Sequence, residues 1–427
     1  MINRLSNQEV KGTADWLPEE FLIRKHIFDT WRRVCLRYGF EEYLTPLFES
    51  AEVYRQKSGG DIGGKELLAF SDLGGRELAV RPEMTPSVVR MVSKVYKSSP
   101  KPLRLFSIAN FFRNEKPQRG RNREFWQLNC DIFGSDTLRS DEEILKLALD
   151  IMLEFDPPTD SFVLKVNSRR LLEEFFNNLG LKEKDKAEFF RTLDKRNKLT
   201  VSEFNERLSA LGLNKQKLND LNSFMAGNAN SDFLSIIKES PKLFSAYEEI
   251  ELVIKSLTDL GYGELIEFDP TVIRGFDYYD GLVFEVFDKH PDNNRAMFGG
   301  GRYNGLAEIF GENNFPAIGF APGDETMRLF IESWGLREKI ISDNKEQYYL
   351  PLINEKFSFQ LDHLAKELRL KGKNVLVGLE EQKIQKALEF ANKKKINKVL
   401  ILGEEEVAKN SYKIKDMLSG KEEIFSL

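Results

Sequence analysis

The first 166 residues contain two kinds of apolar pattern. Apolar residues recur at helical spacing over 19–38 and are followed by Gly39, which predicts a helix that ends there. The Ser-Asp-Glu-Glu sequence at 140–143 has the spacing of a capping box and predicts a helix over 144–155. Short apolar runs typical of strands occur at 40–46, 78–81 and 103–112. This part of the chain is therefore expected to combine helices with a sheet.

The polarity of the chain changes between 167 and 262. This segment is rich in Lys, Glu and Asn and has helical periodicity with few strand signals, so it is predicted to be a helical insertion. Strand patterns return at Val272 and over 282–287. We therefore expect 1–166 and 263–332 to form one domain that the insertion interrupts.

The last part of the chain has its own pattern. A polar, charged stretch at 333–347 is predicted to be a linker. Beyond it, strand and helix patterns alternate, which predicts a separate α/β domain over 348–427. The predicted strands are 348–353, 374–379 and 398–402, and the predicted helices are 359–370 and 382–393.

Charge, cysteine and histidine content exclude several classes of protein. The chain has 63 Lys and Arg against 68 Asp and Glu, a net charge of −5, so any contact with nucleic acid must come from a local patch. Only Cys35 and Cys130 are present, which predicts no disulfide framework and favours a reducing, cytoplasmic location. With three histidines, no metal site is predicted. Neither a signal-peptide pattern nor an apolar run of membrane-spanning length is found, so no membrane segment is expected.

The segment 113–123 is the richest in candidate chemistry. It holds five basic residues and one acid between two aromatic strand patterns. Arginine at a strand end suits a phosphate because its guanidinium offers paired donors, and Phe125 beside it could stack on a purine. A solvated hairpin loop is the alternative. From these residues alone, polyphosphate or nucleic-acid contact and the solvated loop are equally good interpretations.

Three other segments group polar side chains around turns. In 81–86, Glu83 suits an ammonium group and Thr85 adds a hydroxyl, although Thr85 could simply cap a helix that begins at Pro86. The segment 273–281 places a cation, acids and two tyrosines beside glycines, and core packing of the tyrosines is the alternative there. Three consecutive glycines in 298–305 suggest a close backbone approach.

Taken together, these segments resemble the histidyl-tRNA synthetases, a family of class II aminoacyl-tRNA synthetases. The order and spacing of the segments carry the resemblance over nearly the whole chain. The family's N-terminal signature resembles 11–18, motif 1 resembles 39–49, motif 2 resembles 112–127, the two histidine-specific motifs resemble 274–279 and 300–305, and the anticodon-binding domain resembles 398–406 and its surroundings.

The resemblance implies both a fold and an activity. The fold would be an α+β catalytic domain built on an antiparallel sheet, with a helical insertion and a C-terminal α/β anticodon-binding domain. The activity would be ATP-dependent ligation of L-histidine to its tRNA through a histidyl-adenylate, with Mg²⁺ bridging the phosphates of ATP. Motif 1 implies a homodimer.

The resemblance also implies roles for individual residues. Arg113 and Arg274 would flank the α-phosphate and the attacking carboxylate. Residues that would bind ATP are Arg113, Glu115, Arg121 and Phe125. Residues that would bind the histidine amino group are Glu83, Thr85 and Gln127; Asp131 and Tyr279 would serve the ring nitrogens, and Tyr278 and Tyr303 would complete the walls. Residues that would contact the acceptor end of the tRNA are Lys116 and Gln118.

Two departures from the family keep an alternative open. Thr326 stands where motif 3 usually has Arg. On a helix, Arg328 lies about 200° further round, so it is not an automatic substitute. Arg302 or a shifted helix start could compensate instead. Asp131 is one methylene shorter than the Glu of many members. The alternative is a regulatory subunit of ATP phosphoribosyltransferase, which binds histidine as a signal without aminoacylation. The sequence of 81–86 favours this alternative, whereas the basic motif 2 loop and the C-terminal domain favour a synthetase.

Overall fold

The computed structural model describes residues 6–57, 61–196, 199–227, 232–273, 278–293, 295–342 and 346–427. The chain divides into two compact units, Met1–Glu338 and Lys339–Leu427. Strands of the first unit are β1 (Glu41–Glu42), β2 (Phe48–Ser50), β3 (Ala69–Ser71), β4 (Glu77–Val80), β5 (Leu103–Phe112), β6 (Glu124–Phe133), β7 (Phe162–Ser168), β8 (Ile266–Phe268), β9 (Leu282–Asp288), β10 (Ala296–Arg302) and β11 (Ala317–Phe320).

Helices accompany these strands throughout the first unit. They are α1 (Pro18–Arg37), α2 (Ala51–Lys57), α3 (Thr85–Val95), α4 (Leu138–Leu153), α5 (Arg169–Asn178), α6 (Lys186–Asp194), α7 (Val201–Ala210), α8 (Lys215–Met225), α9 (Phe233–Lys238), α10 (Pro241–Leu257) and α11 (Asp324–Ser333). Helix α12 (Arg337–Ser342) includes the last two residues of the first unit and the first four of the second. Within the described residues, no helix has the length and apolar character needed to cross a membrane.

The centre of the first unit is a large sheet with the strand order β1-β5-β6-β11-β10-β9-β7-β8. The pairs from β5 through to β7 are antiparallel, while the outermost pairs, β1 with β5 and β7 with β8, are parallel. The predicted α+β fold on an antiparallel sheet is thus confirmed, with parallel strands added at both edges. A smaller antiparallel sheet has the order β2-β4-β3.

Helices α1 and α4 cover one face of the large sheet. Helix α1 buries an apolar stripe that includes Ile27, Trp31 and Cys35. The thiol of Cys35 lies 3.3 Å from that of Cys130 on β6, which shows how closely this helix packs on the sheet. The helix predicted over 19–38 is present, and Gly39 follows it with a φ of +71°.

The predicted start of helix α4 is wrong. Thr137 is the N-cap and the helix begins at Leu138, so Ser140 and Asp141 lie inside its first turn. The hydroxyl of Ser140 donates to the carbonyl of Thr137 and does not cap a later turn. Asp141 instead pairs with buried Arg302 of β10 at 2.8 Å, a contact between distant segments that local spacing does not reveal.

The segment between β7 and β8 contains helices α5 to α10. Its core is aromatic: Phe175 stacks on Phe224 with a centroid distance of 3.9 Å, and Phe233 contacts Tyr247. Helix α10 also contacts α4 and β7, so the helical segment packs directly against the large sheet.

The second unit is a five-stranded sheet with the order β13-β12-β14-β15-β16, covered by helices. Its elements are β12 (Gln347–Leu350), α13 (Ser358–Leu370), β13 (Asn374–Val377), α14 (Ile384–Lys393), β14 (Lys398–Ile401), α15 (Glu404–Ala408), β15 (Ser411–Asp416) and β16 (Glu422–Ser426). The three strands and two helices predicted there are present within a few residues. In the stretch predicted as a linker, the structure has helix α12.

Close approach of β10 to β11 depends on glycine, so Gly300→Ala is expected to destabilise the protein. An added Cβ would overlap the carbonyl oxygen of Gly319 and lie 2.5 Å from Cβ of Phe320. We expect the free energy of unfolding to fall by about 2 kcal/mol or more, measured by denaturant unfolding. Gly305→Ala is the control, because nothing lies within 4 Å of its added Cβ. Equal effects of the two substitutions would show that β10 and β11 can separate at no cost.

Candidate functional site

Strand β6 presents a row of side chains to the face of the sheet opposite α1 and α4. Because side chains alternate along a strand, Phe125, Gln127, Asn129 and Asp131 point to the same side. All four line a cavity of about 510 Å³, and we call them the β6 row. The same cavity contacts β10, β11, the start of α11 and the turn before α3.

The cavity brings together most of the side chains singled out from the sequence. Those that line it are Glu83, Thr85, Arg113, Glu115, Arg121, Phe125, Gln127, Asp131, Tyr278, Tyr279 and Tyr303. Arg274 lies outside the described residues. Lys116 and Gln118 lie on the exposed loop between β5 and β6, outside the cavity lining.

Arg113 stands at the end of β5, where the loop leaves the sheet. Its Nε donates to the carbonyl of Pro82 at 3.0 Å, and its guanidinium lies 5.1 Å from the centroid of the Phe125 ring. Burial lowers the pKa of Arg113, and the carboxylates of Glu83 and Glu115 act in the opposite direction. A cation held this way, with donors still directed at the cavity, suits an anionic group bound beside the aromatic ring.

The loop between β5 and β6 packs on the start of α11. A Cβ added to Gly120 would lie 3.2 Å from Leu329 and 3.9 Å from Thr326. Next to it, Arg121 lines the cavity with a nitrogen 3.6 Å from Glu115. The loop therefore occupies the space beside Thr326 and brings its own guanidinium to the cavity.

Gly12, in the segment that resembles the family's N-terminal signature, contacts the end of this loop. The carbonyl of Gly12 accepts hydrogen bonds from the backbone of Arg123 at 2.8 Å and of Glu124 at 3.2 Å. A Cβ at Gly12 would lie 2.7 Å from the side chain of Arg123, and the residue has a φ of +91°. Glycine is needed there because the backbone must come this close.

Glu83 lies in the turn between β4 and α3, and Thr85 is the first residue of α3. Glu83 is buried and accepts a hydrogen bond from the hydroxyl of Tyr278 at 3.1 Å. Met84 is the N-cap of α3, so Thr85 does not cap this helix as the structural alternative assumed. Gln127 on β6 faces the same region and donates to the carbonyl of Ala321 at 3.3 Å.

Asp131 is buried at the inner end of the β6 row. It accepts a hydrogen bond from the hydroxyl of Tyr303. Burial raises the pKa of Asp131 to about 7, although the hydrogen bond from Tyr303 acts in the opposite direction. Gly319 of β11 makes this position possible, since a Cβ there would overlap Oδ1 of Asp131.

Neither arginine considered as a replacement for the motif 3 residue reaches the cavity. Arg302 pairs with Asp141 and donates to the carbonyls of Ser135 and Thr137. Arg328 pairs with Glu325 and Glu332 on its own helix. Thr326 Oγ1 donates to the carbonyls of Met297 and Gly323, at 2.9 and 3.0 Å.

Several carboxylates and one amide of the cavity were not identified from the sequence. Asp324 and Glu325 begin α11 and pair with buried Arg24 of α1, at 2.6 and 2.8 Å. Burial raises the pKa of Asp324 to about 7. Glu285 of β9 and Asn129 of β6 also line the cavity. Alternation along β6 from Gln127 to Asp131 was the one sequence signal that could have identified Asn129. Within the described ranges, no cluster of three or more His, Cys, Asp or Glu side chains suits a metal ion.

A largely antiparallel sheet with this cavity, its arginine-bearing loop and a separate C-terminal sheet unit is the architecture of a class II aminoacyl-tRNA synthetase. Comparison with known families specifies it further. Residues 12–325 match the model of the family described as "Histidyl-tRNA synthetase", and residues 344–427 match an "Anticodon binding domain". The chain belongs to the histidyl-tRNA synthetase family.

Curated relatives match the chain over nearly its full length. A protein of Leptospira biflexa named "Histidine--tRNA ligase" is 38% identical over 426 residues, which cover 99% of this chain and 96% of the relative. One of Pyrococcus horikoshii with the same name is 36% identical, over 98% of this chain and 96% of the relative.

Solved structures show the same fold at lower identity. Histidyl-tRNA synthetase from Nostoc sp. PCC 7120 superposes with a TM-score of 0.84 at 22% identity, over 99% of this chain and 97% of that one. A Bacillus halodurans structure described as an "ATP phosphoribosyltransferase regulatory subunit/histidyl-tRNA synthetase" has a TM-score of 0.75 at 22% identity, over 91% and 97%. The shared fold therefore does not by itself separate the two interpretations of the sequence.

Asp131 is expected to make the protein less stable as pH rises. Burial raises the pKa of its carboxyl from 3.8, the value in the unfolded chain, to about 7 in the folded one. Between these values the unfolded chain has released a proton that the folded chain retains, so the free energy of unfolding falls up to about pH 7 and then levels.

Asp131→Asn removes this titration. We expect the stability of Asp131→Asn relative to the unsubstituted protein to rise between pH 4.5 and 7.5 by about 2–4 kcal/mol, measured by denaturant unfolding at each pH. A stability difference that is the same at both pH values would contradict the assignment.

Proposed function

We propose that this chain ligates L-histidine to its tRNA in two steps, through a histidyl-adenylate. The full-length match to relatives named as histidine–tRNA ligases, with the C-terminal anticodon-binding domain included, supports this function most directly. The same match does not favour the alternative of a non-catalytic regulatory subunit.

In the first step, the carboxylate of histidine attacks the α-phosphorus of ATP, and pyrophosphate leaves. Negative charge builds on the five-coordinate phosphorus, so the protein has to position the reactants and neutralise charge. We assign Arg113 and Arg274 to this neutralisation. The partly buried guanidinium of Arg113 beside Phe125 supports the first assignment.

The remaining parts of ATP would contact the loop and the outer end of the β6 row. Phe125 would stack on adenine, and Glu115 and Arg121 would hold other groups of the nucleotide. Arg121 follows the glycine that packs beside Thr326, where the family usually has an arginine, so we propose that the loop supplies the cation that α11 lacks.

Mg²⁺ would accompany ATP and neutralise charge on its phosphates. The cavity contains carboxylates of the kind that bind this ion, on Glu115 and Glu285. These groups fit an ion that also takes ligands from phosphate and water.

Histidine would bind along the inner part of the cavity. Glu83, Thr85 and Gln127 would hold the amino group, because a buried carboxylate and an amide oxygen accept from an ammonium group. Asp131 would accept from one ring nitrogen, and the hydroxyl of Tyr279 is one donor available to the other. Tyr278 and Tyr303 would form the walls. An amino acid without these ring atoms would leave buried polar groups unpaired.

Transfer to tRNA would use the exposed loop and the C-terminal domain. Lys116 and Gln118 would contact the acceptor end, and residues 348–427 would read the anticodon as single-stranded bases. We further assign 1–166 and 263–332 to the catalytic domain, 167–262 to a helical insertion and 333–347 to a linker.

A second copy of the chain would cover the motif 1 segment. Strand β1 lies at the edge of the large sheet, and Leu44 and Phe48 after it are 71% and 49% exposed. Exposed apolar side chains beside a sheet edge are typical of an interface. Two free, buried cysteines fit the cytoplasmic location that we propose.

Histidine-dependent exchange of pyrophosphate into ATP tests the first step. We expect exchange with the unsubstituted protein, and a fall in kcat of about 10²- to 10³-fold in Arg113→Ala and in Arg274→Ala, because each loses a cation at the phosphorus. Arg170→Ala is the control, since this exposed arginine pairs with Glu249 in the helical segment. Unchanged exchange in Arg274→Ala would refute its role, and histidine binding without any exchange would favour the regulatory subunit.

The assignment of the tRNA contact predicts an effect on the second step alone. The double substitution of Lys116 and Gln118 by Ala should raise the KM for tRNA by about threefold to tenfold, because a phosphate contact is lost. Pyrophosphate exchange should not change, because neither side chain lines the cavity. Aminoacylation with tRNA and exchange without it are the two measurements. A loss of exchange would place these side chains in the ATP site instead.

A further inference from the structure

The turn between β9 and β10 lies at the same end of the large sheet as the loop between β5 and β6. Strand β6 pairs with β11, β11 with β10 and β10 with β9, each time antiparallel, so both connections emerge at one edge. Nη2 of Arg295 donates to Oε1 of Gln118 at 3.0 Å. Nη2 of Arg119 lies 3.5 Å from Oδ1 of Asn293. The turn, whose described residues are 289–293 and 295, therefore contacts the loop directly.

The β9–β10 turn is held in place by Asp288, the last residue of β9. One carboxylate oxygen of Asp288 accepts from the backbone nitrogen of His290 at 2.8 Å and from Nε1 of Trp334 at 2.9 Å. The other oxygen accepts from the side-chain amide of Asn293, which also lies 3.2 Å from Oγ of Ser333. The ring of His290 packs edge-on against Trp334, with 5.4 Å between the centroids. These contacts fix the turn against the end of α11, so it offers a preformed surface.

Two exposed guanidinium groups, those of Arg119 and Arg295, lie where the turn and the loop touch. We call them the arginine pair. Neither forms an ion pair with a carboxylate among the residues that the structure describes. Asp292 is the acidic residue of the described turn, and its carboxylate lies 3.8 Å from Nδ1 of His290. Positive charge that the protein does not neutralise itself favours an anionic partner at this surface.

The arginine pair lies at the rim of the cavity. Gly120 follows Arg119 and Ala296 follows Arg295, and both of these neighbours line the cavity. In the proposed function, the terminal ribose of the tRNA must reach this cavity, so the phosphates that precede it have to cross the rim. A guanidinium offers paired donors to phosphate oxygens. Charge and location therefore both favour the single-stranded acceptor end of the tRNA as the partner.

We propose that Arg295 of the β9–β10 turn, together with Arg119 of the loop, binds phosphates of the single-stranded acceptor end. The turn then extends the tRNA contact beyond Lys116 and Gln118 to a second element of the sheet. Contacts to phosphate fix the path of the strand without reading its bases. This inference rests on the proposed function and adds a contact surface to it.

Arg295→Ala tests the inference through the salt dependence of RNA binding. The whole chain is titrated with histidine tRNA between about 50 and 200 mM salt. We expect the Kd to rise about threefold to tenfold, and the fall of log affinity with log salt concentration to become less steep by about 0.7, the value for one phosphate contact with a single strand. Arg119→Ala should have the same two effects. An RNA hairpin that carries only the acceptor stem and the 3′ end should show the same losses.

Arg139→Ala is the matched control. Arg139 is also exposed and has no ion pair within the described ranges. It lies in the first turn of α4, which follows the opposite end of β6. Its removal changes the net charge by the same amount, and we expect neither the Kd nor the salt dependence to change.

A double substitution separates a phosphate contact from a purely structural one. If Arg295 acts only by holding Gln118, then Arg295→Ala added to Gln118→Ala should change neither the Kd nor the salt dependence. A phosphate contact predicts that the salt dependence weakens by about 0.7 in this background as well, because Gln118 carries no charge.

The outcomes separate the inference from the function on which it rests. An unchanged Kd and salt dependence in Arg295→Ala would overturn the inference alone, as would a loss that is seen with tRNA but not with the hairpin. A fall in pyrophosphate exchange measured without tRNA would also overturn it and assign Arg295 to the ATP site. The absence of histidine-dependent exchange in the unsubstituted protein would refute the proposed function itself.

Discussion

The antiparallel pairing of β5 with β6 is the constraint on which the rest of the site depends. Ten consecutive residue pairs, from Leu103 with Phe133 to Phe112 with Glu124, fix the register of the two strands. A shift by one residue would point the side chains of the β6 row towards the face that the helices cover. Cys130 and its neighbours would then point into the cavity. Burial of that opposite face against α1 opposes such a shift, so packing on one side of the sheet specifies the chemistry on the other.

Much of this arrangement could be predicted from local sequence. The strand predicted over 103–112 has the observed bounds of β5, and the helix predicted over 19–38 differs from α1 by one residue at each end. The helix was predicted from the helical spacing of its apolar residues and the strand from an apolar run, and both patterns reflect burial. Most of the candidate side chains meet in the cavity because the motifs that contain them lie at strand ends and in the turns that follow.

Contacts between distant segments could not be predicted in the same way. Arg302 was considered as a replacement for the motif 3 arginine, yet it is neutralised by Asp141 of α4, whose proximity depends on the folded chain. The start of α4 was misplaced because Asp141 serves an ion pair with β10 and not a cap. Asn129 was not singled out, because its alternation with Gln127 and Asp131 becomes informative only when the strand is known to line a cavity.

The close packing of Gly120 against Thr326 ties two distant positions together. A side chain much longer than threonine at 326 would need the space that the loop now fills, and a side chain at 120 would push the loop off α11. A longer side chain at 326 would therefore be accommodated only if the loop around Gly120 were rebuilt as well. If an ancestor had an arginine at 326 on the helix, its replacement by Arg121 of the loop would have required changes in both segments. A reversal would require changes in both segments again.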